Sequence, residues 1–344
     1  AGAGEMASFS DDEYRLCGTV IFPTAADVWA KCDMMVKVKE PLEEEYPYLH
    51  PGLILFTYLH LAPNRRLADA LSSSGVKAVA YETIEGRTGS LPCLRPMSEI
   101  AGRLSIQEGA KYLERPFGGR GILLGGVPGV ERGKVVIVGG GIAGTYAAKA
   151  AVGMGAQVTL LDISLTRLVY LDDIFGTSIT TLYSSETNIA RSLAEADLVI
   201  GAVLIPGATT PKLIRHHHLK IMKQGAVIVD IAIDQGGCCE TSRPTTHDDP
   251  VFILDGIVHY CVGNMPGAVP RTSTVALANT TLPYGMMIAE TGLEKACEFN
   301  EGLSKGVNIY EGVCANKNVA ESLDLPYTPV HEVMQYPQIC ASAG

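Results

Sequence analysis

A glycine-rich turn between two regular patterns is the feature that most constrains the fold of this chain. The apolar run 134–138 leads into glycines with the spacing G-x-G-x-x-G, namely Gly139, Gly141 and Gly144, and a helical pattern covers 142–154. Glycine at these positions permits a tight turn, close approach of the backbone to a pyrophosphate, and close packing of the helix on the strand. The segment therefore predicts a strand–turn–helix unit that binds a dinucleotide.

An acidic residue follows at the distance that such a unit requires. Asp162 ends the next apolar run and lies eighteen residues after Gly144, close to the expected spacing of about 20. Its carboxylate can accept hydrogen bonds from the adenosine ribose hydroxyls and repels the 2′-phosphate of NADP, which predicts NAD as the cofactor. The alternative is an ordinary glycine turn, with Asp162 as the N-cap of the following helix.

Apolar runs of strand length alternate with helical patterns along most of the chain. This alternation predicts the α/β class, with two Rossmann-like domains whose sheets are mostly parallel. The predicted strands are 34–39, 53–60, 76–83, 135–139, 157–162, 197–204 and 226–233. The predicted helices include 25–32, 64–74, 97–114, 142–154 and 272–299.

The length of 344 residues favours two domains. The long helices 97–114 and 272–299 are predicted to join them beside a cleft. The first, discontinuous domain is predicted to comprise 1–92 and 271–344 and to bind the substrate. The second, 93–270, is predicted to bind NAD.

The composition indicates a chain that works without nucleic acid, membrane or metal. The net charge of −10 disfavours binding to phosphates or to an anionic membrane surface, and there is no spanning apolar run or secretory signal. The nine cysteines are scattered without a C-x-x-C pair, which disfavours a metal site and favours a reducing, cytoplasmic location. The run 216–218, three histidines, is predicted to be solvated surface.

Three polar residues lie at the predicted carboxyl ends of strands, where ligands bind in open α/β sheets. His60 could act there as a general acid or base near neutral pH. Lys39 could bind a carboxylate or polarise a carbonyl, and Asp234 precedes a glycine-rich turn. Taken singly, each has an ordinary structural alternative.

Taken together, these segments resemble alanine dehydrogenases from about residue 1 to 326. The most specific stretches are 36–41 (VKVKEP), 56–61 (FTYLHL), 96–99, 125–130, 201–208, 229–237 and 264–266. The resemblance implies NAD-dependent oxidative deamination of L-alanine to pyruvate and ammonium, in a homohexamer. It implies that Lys39 binds the substrate, His60 is the acid/base, and Asp234 is a catalytic residue near the nicotinamide.

The resemblance also implies a set of cofactor contacts beyond Gly139, Gly141, Gly144, Asp162 and Asp234. Arg167 is expected to stack on the adenine, and Asn264 and Met265 to contact the nicotinamide end. The full additional set is Ser98, Ile142, Ala143, Arg167, Ser184, Val203, Leu204, Ile231, Ala232, Ile233, Arg243, Val262, Gly263, Asn264 and Met265.

The chain departs from the family pattern at its start. The opening strand of the family, with an arginine that grips the substrate carboxylate, has no counterpart before Ala1. Because bidentate arginine–carboxylate pairing is hard to replace, this predicts either an incomplete sequence or an impaired, N-truncated relative. A further alternative is the NAD-binding component of a transhydrogenase.

Overall fold

The structure is a computed structural model that describes residues 1–203 and 210–335. Its strands are β1 (Met34–Val36), β2 (Ile54–Thr57), β3 (Lys77–Ala80), β4 (Lys134–Val138), β5 (Gln157–Asp162), β6 (Ile179–Tyr183), β7 (Leu198–Gly201), β8 (Val227–Asp230), β9 (Val251–Leu254), β10 (Ile257–Tyr260), β11 (Val307–Tyr310) and β12 (Val313–Cys314).

The α-helices alternate with these strands over most of the chain. They are α1 (Asp11–Leu16), α2 (Ala25–Trp29), α3 (Arg65–Ser74), α4 (Arg95–Tyr112), α5 (Ile142–Gly153), α6 (Leu165–Phe175), α7 (Glu186–Glu195), α8 (Pro270–Thr291), α9 (Leu293–Phe299), α10 (Glu301–Ser304), α11 (Lys317–Leu323) and α12 (Val330–Gln335). Among the described residues, no helix has both the length and the apolarity needed to cross a membrane.

The chain divides into two compact units. The first comprises Ala1–Pro96 and Pro270–Gly344, and the second is Met97–Val269. The boundaries fall in the first turn of α4 and at the start of α8.

The second unit contains a seven-stranded sheet in the order β6-β5-β4-β7-β8-β10-β9. All neighbouring strands are parallel except β9, which pairs antiparallel with β10. Numbered within this unit, the six parallel strands follow the order 3-2-1-4-5-6 of a Rossmann fold, in which the strand order reverses between β4 and β7. The carboxyl ends of all six therefore lie at one edge of the sheet.

Strand β4 contributes side chains to a hydrophobic core on each face of this sheet. Val135 and Ile137 belong to a core with the alanines of α5, whereas Val136 and Val138 belong to a second core with α7. Because successive side chains of a strand point to opposite faces, an unbroken apolar run is the pattern that a doubly covered strand requires.

The first unit contains a five-stranded sheet in the order β1-β2-β3-β11-β12. Strands β1, β2 and β3 are parallel, and β11 and β12 are added antiparallel. Its core packs Leu55 and Ala78 of the sheet against Leu67 and Leu71 of α3. The predicted α/β class with two mostly parallel sheets is confirmed.

Several predicted strands are too long at their carboxyl ends. Strand β8 ends at Asp230, and Ile231–Gln235 form a 3-10 helix, so the prediction that Asp234 ends a strand is wrong. The cause is local: the Asp230 side chain accepts a hydrogen bond from the amide of Ala232 and turns the chain. Likewise β1 ends at Val36, before Lys39, and β2 ends at Thr57, before His60.

Two other predictions also need correction. The helix expected over 272–299 is two helices, α8 and α9, because Gly292 between them has a φ of 81°. The run 216–218 lies in a 3-10 helix, in which His218 is buried rather than solvated. Strands β9 to β12 were not predicted.

Candidate active site

The glycine turn after β4 has the geometry of a phosphate site. Gly139 has a φ of 103°, and a Cβ there would lie 2.7 Å from the carbonyl oxygen of Ala202. A Cβ on Gly144 would lie 1.8 Å from the carbonyl oxygen of Gly139, so only glycine lets α5 pack this closely. At Gly141 a Cβ would meet no atom of the described residues within 4 Å, which leaves open space beside the backbone in this part of the chain.

The start of α5 offers hydrogen-bond donors to that open space. Its N-cap is Gly141, which has no side chain to accept from the first amides of the helix. Free N–H groups and the positive end of the helix dipole form a ready site for phosphate. The residues present therefore fit the pyrophosphate of a dinucleotide, with Ile142 and Ala143 in the first turn.

Asp162 lies at the end of β5 against this turn. Its Oδ2 accepts a 2.7 Å hydrogen bond from the Gly140 amide, and its Oδ1 accepts one of 2.8 Å from the Ser164 amide. The N-cap of α6 is Ser164, so the alternative that Asp162 is that N-cap is wrong. The carboxylate instead links the glycine turn to the start of α6.

Arg167 is part of the same turn. Its Nε donates to the Gly140 carbonyl at 2.5 Å and its Nη2 to the Thr145 hydroxyl at 2.6 Å. The guanidinium also lies 4.6 Å from the ring centroid of Tyr170. The predicted stacking of Arg167 on adenine stays a prediction.

Ser184 follows β6 at the same sheet edge. Its amide donates to the Asp162 carbonyl at 3.0 Å, and its hydroxyl oxygen is buried without a hydrogen-bond partner among the described residues. A buried hydroxyl in need of a partner is consistent with the predicted contact of Ser184 to the cofactor.

Further predicted contacts follow the parallel strands at this edge. Val203 comes shortly after β7, next to the Ala202 that touches the glycine turn. The 3-10 helix after β8 carries Ile231, Ala232 and Ile233, and the segment after β10 carries Val262, Gly263, Asn264 and Met265.

The remaining three predicted contacts are Ser98, Arg243 and Leu204. Ser98 is the fourth residue of α4, a helix that packs at Gly102 against the Ala143 carbonyl in the first turn of α5. The guanidinium of Arg243 lies 4.4 Å from the ring centroid of Phe252 in the edge strand β9. Leu204 lies outside the described residues.

The Asp234 side chain is exposed, and a backbone amide holds its carboxylate in place. Both of its oxygens lie within hydrogen-bond distance of the Asn264 amide, at 3.1 and 3.3 Å. Asn264 itself has a left-handed φ of 50°, a conformation that asparagine tolerates better than most residues. The segments after β8 and β10 are thereby joined at this carboxylate.

Within the first unit, Lys39 and His60 lie at one sheet edge. Each follows the carboxyl end of a parallel strand, β1 or β2, by three residues. The Thr57 hydroxyl donates to the Lys39 carbonyl at 3.0 Å, which holds the two segments side by side. Both side chains are exposed.

The two lysines of the 36–41 segment differ in their partners. Lys37 forms an ion pair with Glu45 and lies 5.6 Å from the centroid of the Trp29 ring system. Within the described part of the chain, the Lys39 ammonium has no carboxylate within 4 Å. Lys39 is therefore the lysine of this segment that is available to an anionic ligand.

Glu82, which no sequence motif indicates, lies in the 3-10 helix after β3. Its carboxylate accepts hydrogen bonds from the amides of Leu59, at 3.1 Å, and His60, at 2.6 Å. His60 has a left-handed φ of 48°, which costs about 1–2 kcal/mol for a residue with a side chain. These bonds offset that cost and fix the turn that presents the imidazole.

Tyr58 supports the other side of His60. The two rings are stacked with centroids 5.8 Å apart and an interplanar angle of 12°. Burial raises the pKa of Tyr58, and its hydroxyl donates to the Cys93 carbonyl at 2.6 Å. The phenol thus stays neutral and forms a fixed surface for the imidazole.

Across residues 1–203 and 210–335, no group of three or more His, Cys, Asp or Glu side chains could hold a metal ion.

Two family models cover nearly the whole chain. The model described as alanine dehydrogenase/PNT, N-terminal domain, matches residues 1–101, and the corresponding C-terminal domain matches residues 105–317. The chain belongs to the alanine dehydrogenase/PNT family.

Similar proteins agree with this membership. The chain is 54% identical over 334 residues to alanine dehydrogenase 2 of Staphylococcus aureus (strain USA300) and to alanine dehydrogenase of Methanococcus maripaludis, covering 97% of this chain and 90% of each relative. A solved L-alanine dehydrogenase, 51% identical, superposes with a TM-score of 0.91 over 94% of this chain and 89% of that one. A transhydrogenase from Sinorhizobium meliloti shares the fold, with a TM-score of 0.79 at 22% identity over 92% of this chain and 89% of that one.

Proposed function

We propose that this chain catalyses the NAD-dependent oxidative deamination of L-alanine to pyruvate and ammonium, and the reverse reaction. The observation that carries the proposal is the 54% identity, over 97% of the chain, to proteins named alanine dehydrogenase. The likeness to a transhydrogenase concerns the fold alone and does not favour the alternative function.

The cofactor assignment rests on the second unit. The amides at the start of α5 and the open space at Gly141 suit the pyrophosphate, and Asp162 suits the adenosine ribose. When NAD is bound, it accepts the hydride from the α-carbon of alanine and so supplies the redox chemistry.

The roles proposed for Lys39, His60 and Asp234 follow from charge and position. The exposed ammonium of Lys39 binds the carboxylate of alanine or pyruvate, and its charge opposes protonation of the bound substrate amine. The imidazole of His60 takes up and returns protons at a ring nitrogen while water adds to the oxidised substrate. Asp234 is proposed to act at the nicotinamide end, because its carboxylate is exposed and anchored to the Asn264 amide.

The test is the rate of NADH formation from L-alanine and NAD at alkaline pH, followed by absorbance. We expect turnover with alanine that exceeds turnover with glycine or serine. If the chain binds NADH in a calorimeter but forms none from alanine, it is a catalytically silent relative and the proposal fails.

A homo-oligomer, expected to be a hexamer, is part of the proposal. Helix α8 presents exposed apolar side chains at Val275, Leu282 and Met286, and no charged residue occurs between Arg271 and Glu290. An uncharged, apolar helix face suits contact between copies of a chain with a net charge of −10. Light scattering should give a mass several times 36.5 kDa, reduced in Leu282→Glu.

The cytoplasm is the proposed location. The eight cysteines within the described residues are free thiols, and most of them are buried. Thiols of this kind suit a reducing compartment. Fractionation of cells with an antibody to the chain tests the location, and recovery outside the cytoplasm would contradict it.

A further inference from the structure

Asp230, to which neither the sequence nor the family comparison gave a role, lies at the centre of the loop that carries Asp234. It is the last residue of β8 and is fully buried. Its Oδ1 accepts from the amides of Ala232 and Cys238, each at 3.2 Å. Its Oδ2 accepts from the Cys239 amide at 3.0 Å and the Ser242 hydroxyl at 2.7 Å.

These four donors, three backbone amides and one hydroxyl, belong to one stretch of the chain that encircles the carboxylate. Among the described residues, no Lys, Arg or His nitrogen lies within 4 Å of Asp230. A buried carboxylate without a cation must be stabilised by hydrogen bonds alone. The loop conformation that supplies all four is therefore coupled to the charge at Asp230.

The space around the carboxylate also selects one loop conformation. A Cβ on Gly237 would lie 2.6 Å from Asp230 Oδ2, and Gly237 has a φ of 75°. A Cβ on Gly201 would lie 3.0 Å from Oδ1 and 2.3 Å from Cys238 Sγ. The backbone can close around the carboxylate only because these two positions are glycine.

We propose that Asp230 is a positioning residue that fixes the loop 231–242 and thereby the place of the Asp234 carboxylate. The proposal rests on the proposed function in one respect, the role of Asp234 in the reaction. Asp230 itself is buried and acts through the loop, without contact to the substrate.

The chain offers a matched control at the opposite end of the same sheet. Asp197 is 5% exposed and precedes β7, where its Oδ2 accepts from the Lys134 amide at 2.8 Å. Unlike Asp230, it has a cation, the Lys223 ammonium at 2.8 Å. Its neutralisation is expected to lower stability without altering the loop at the carboxyl ends of the strands.

The experiment compares Asp230→Asn with Asp197→Asn in the full chain, well below the melting temperature of each. For Asp230→Asn we expect kcat with alanine to fall on the order of 100-fold, as small misplacements of reacting groups do. We expect amide hydrogen exchange in 231–242 to accelerate in this variant only. Ser242→Ala, which removes one of the four donors, should show smaller changes in the same direction, and Ser242→Thr should restore them.

The outcomes separate this proposal from the proposed function. If the unchanged chain has no alanine turnover, the proposed function fails, while faster exchange in Asp230→Asn still supports the loop role. If Asp230→Asn has unchanged kcat and exchange, or if Asp197→Asn matches it in both, the proposal is overturned. Should Asp230→Asn fail to fold, kcat and exchange in Ser242→Ala decide, and no change in either overturns it.

Discussion

The backbone amide of His60 donates a 2.6 Å hydrogen bond to the carboxylate of Glu82, in a turn where His60 has a φ of 48°. The proposed acid/base thus depends on a carboxylate 22 residues farther along the chain. Because Glu82 also accepts from Leu59, it fixes two consecutive amides.

Glu82→Gln should reduce both stability and turnover. Loss of a charged acceptor is expected to lower the free energy of unfolding by about 2 kcal/mol and kcat on the order of tenfold. Denaturant titration and steady-state kinetics measure the two effects. His60→Asn is the comparison, because asparagine tolerates a left-handed φ. The His60→Asn variant should keep its stability yet lose about 10²–10⁴-fold in kcat. Equal kcat values for Glu82→Gln and His60→Asn would contradict the assignment of His60 as the acid/base.

Lys39→Gln should raise the KM for alanine by about 10- to 100-fold, since a charged hydrogen bond to the carboxylate is lost. Lys37→Gln is the matched control two residues away. Lys37 is paired with Glu45, so its replacement should lower the melting temperature and leave KM unchanged. A rise in KM in the Lys37 variant alone would show that the wrong lysine has been assigned.

Gly141→Ala and Gly144→Ala should separate cofactor binding from folding. A methyl group on Gly141 would meet no atom of residues 1–203 and 210–335 within 4 Å, so the fold should be kept while the methyl blocks the phosphate and weakens NADH binding. A methyl group on Gly144 would lie 1.8 Å from the Gly139 carbonyl and should lower the melting temperature. Calorimetric binding and thermal melts measure both, and unchanged NADH affinity in Gly141→Ala would argue against a pyrophosphate at this turn.

Stability should fall as the pH drops below about 6.5, the unperturbed histidine pKa. Burial lowers the pKa of His259, whose neutral ring bonds the Ile257 carbonyl and the Thr241 hydroxyl. In this range the unfolded chain binds a proton that the folded chain excludes, so protonation favours unfolding.

His259→Gln should therefore flatten the dependence of melting temperature on pH between 5 and 8. It should not abolish the dependence, since burial also lowers the pKa of His218. An equally steep profile in the variant would show that His259 does not contribute.

The sequence predicted the elements that follow local rules. The glycine turn and Asp162 could be found because their spacing is fixed by one strand, one turn and one helix. Asn64 and Gly75 likewise mark the two ends of α3, as its N-cap and a C-cap with a φ of 69°. At such positions the residue type indicates the backbone conformation, so the helix ends can be predicted from the sequence.

The sequence could not predict contacts made across the fold. Glu82 and Asp230 are single acids without a motif, and their roles appear only when β3 lies beside β2 and the loop 231–242 closes. The predicted strands extend too far at their carboxyl ends for a related reason. Apolar residues such as Leu59 and Ile233 continue the pattern of a strand, whereas carboxylates already accept from the backbone amides of Leu59 and Ala232.

The pairing of β3 with β11, in which Ala78 lies opposite Ile309, has a consequence for synthesis on the ribosome. Residues 97–269 emerge as one uninterrupted stretch and can acquire their structure during translation. The sheet of the first unit cannot be completed until later, because β11 emerges more than 200 residues after β3. During that interval the edge of β3 is unpaired, and an exposed strand edge invites wrong partners. Translation that pauses before β11 should therefore yield nascent chains that depend on chaperones.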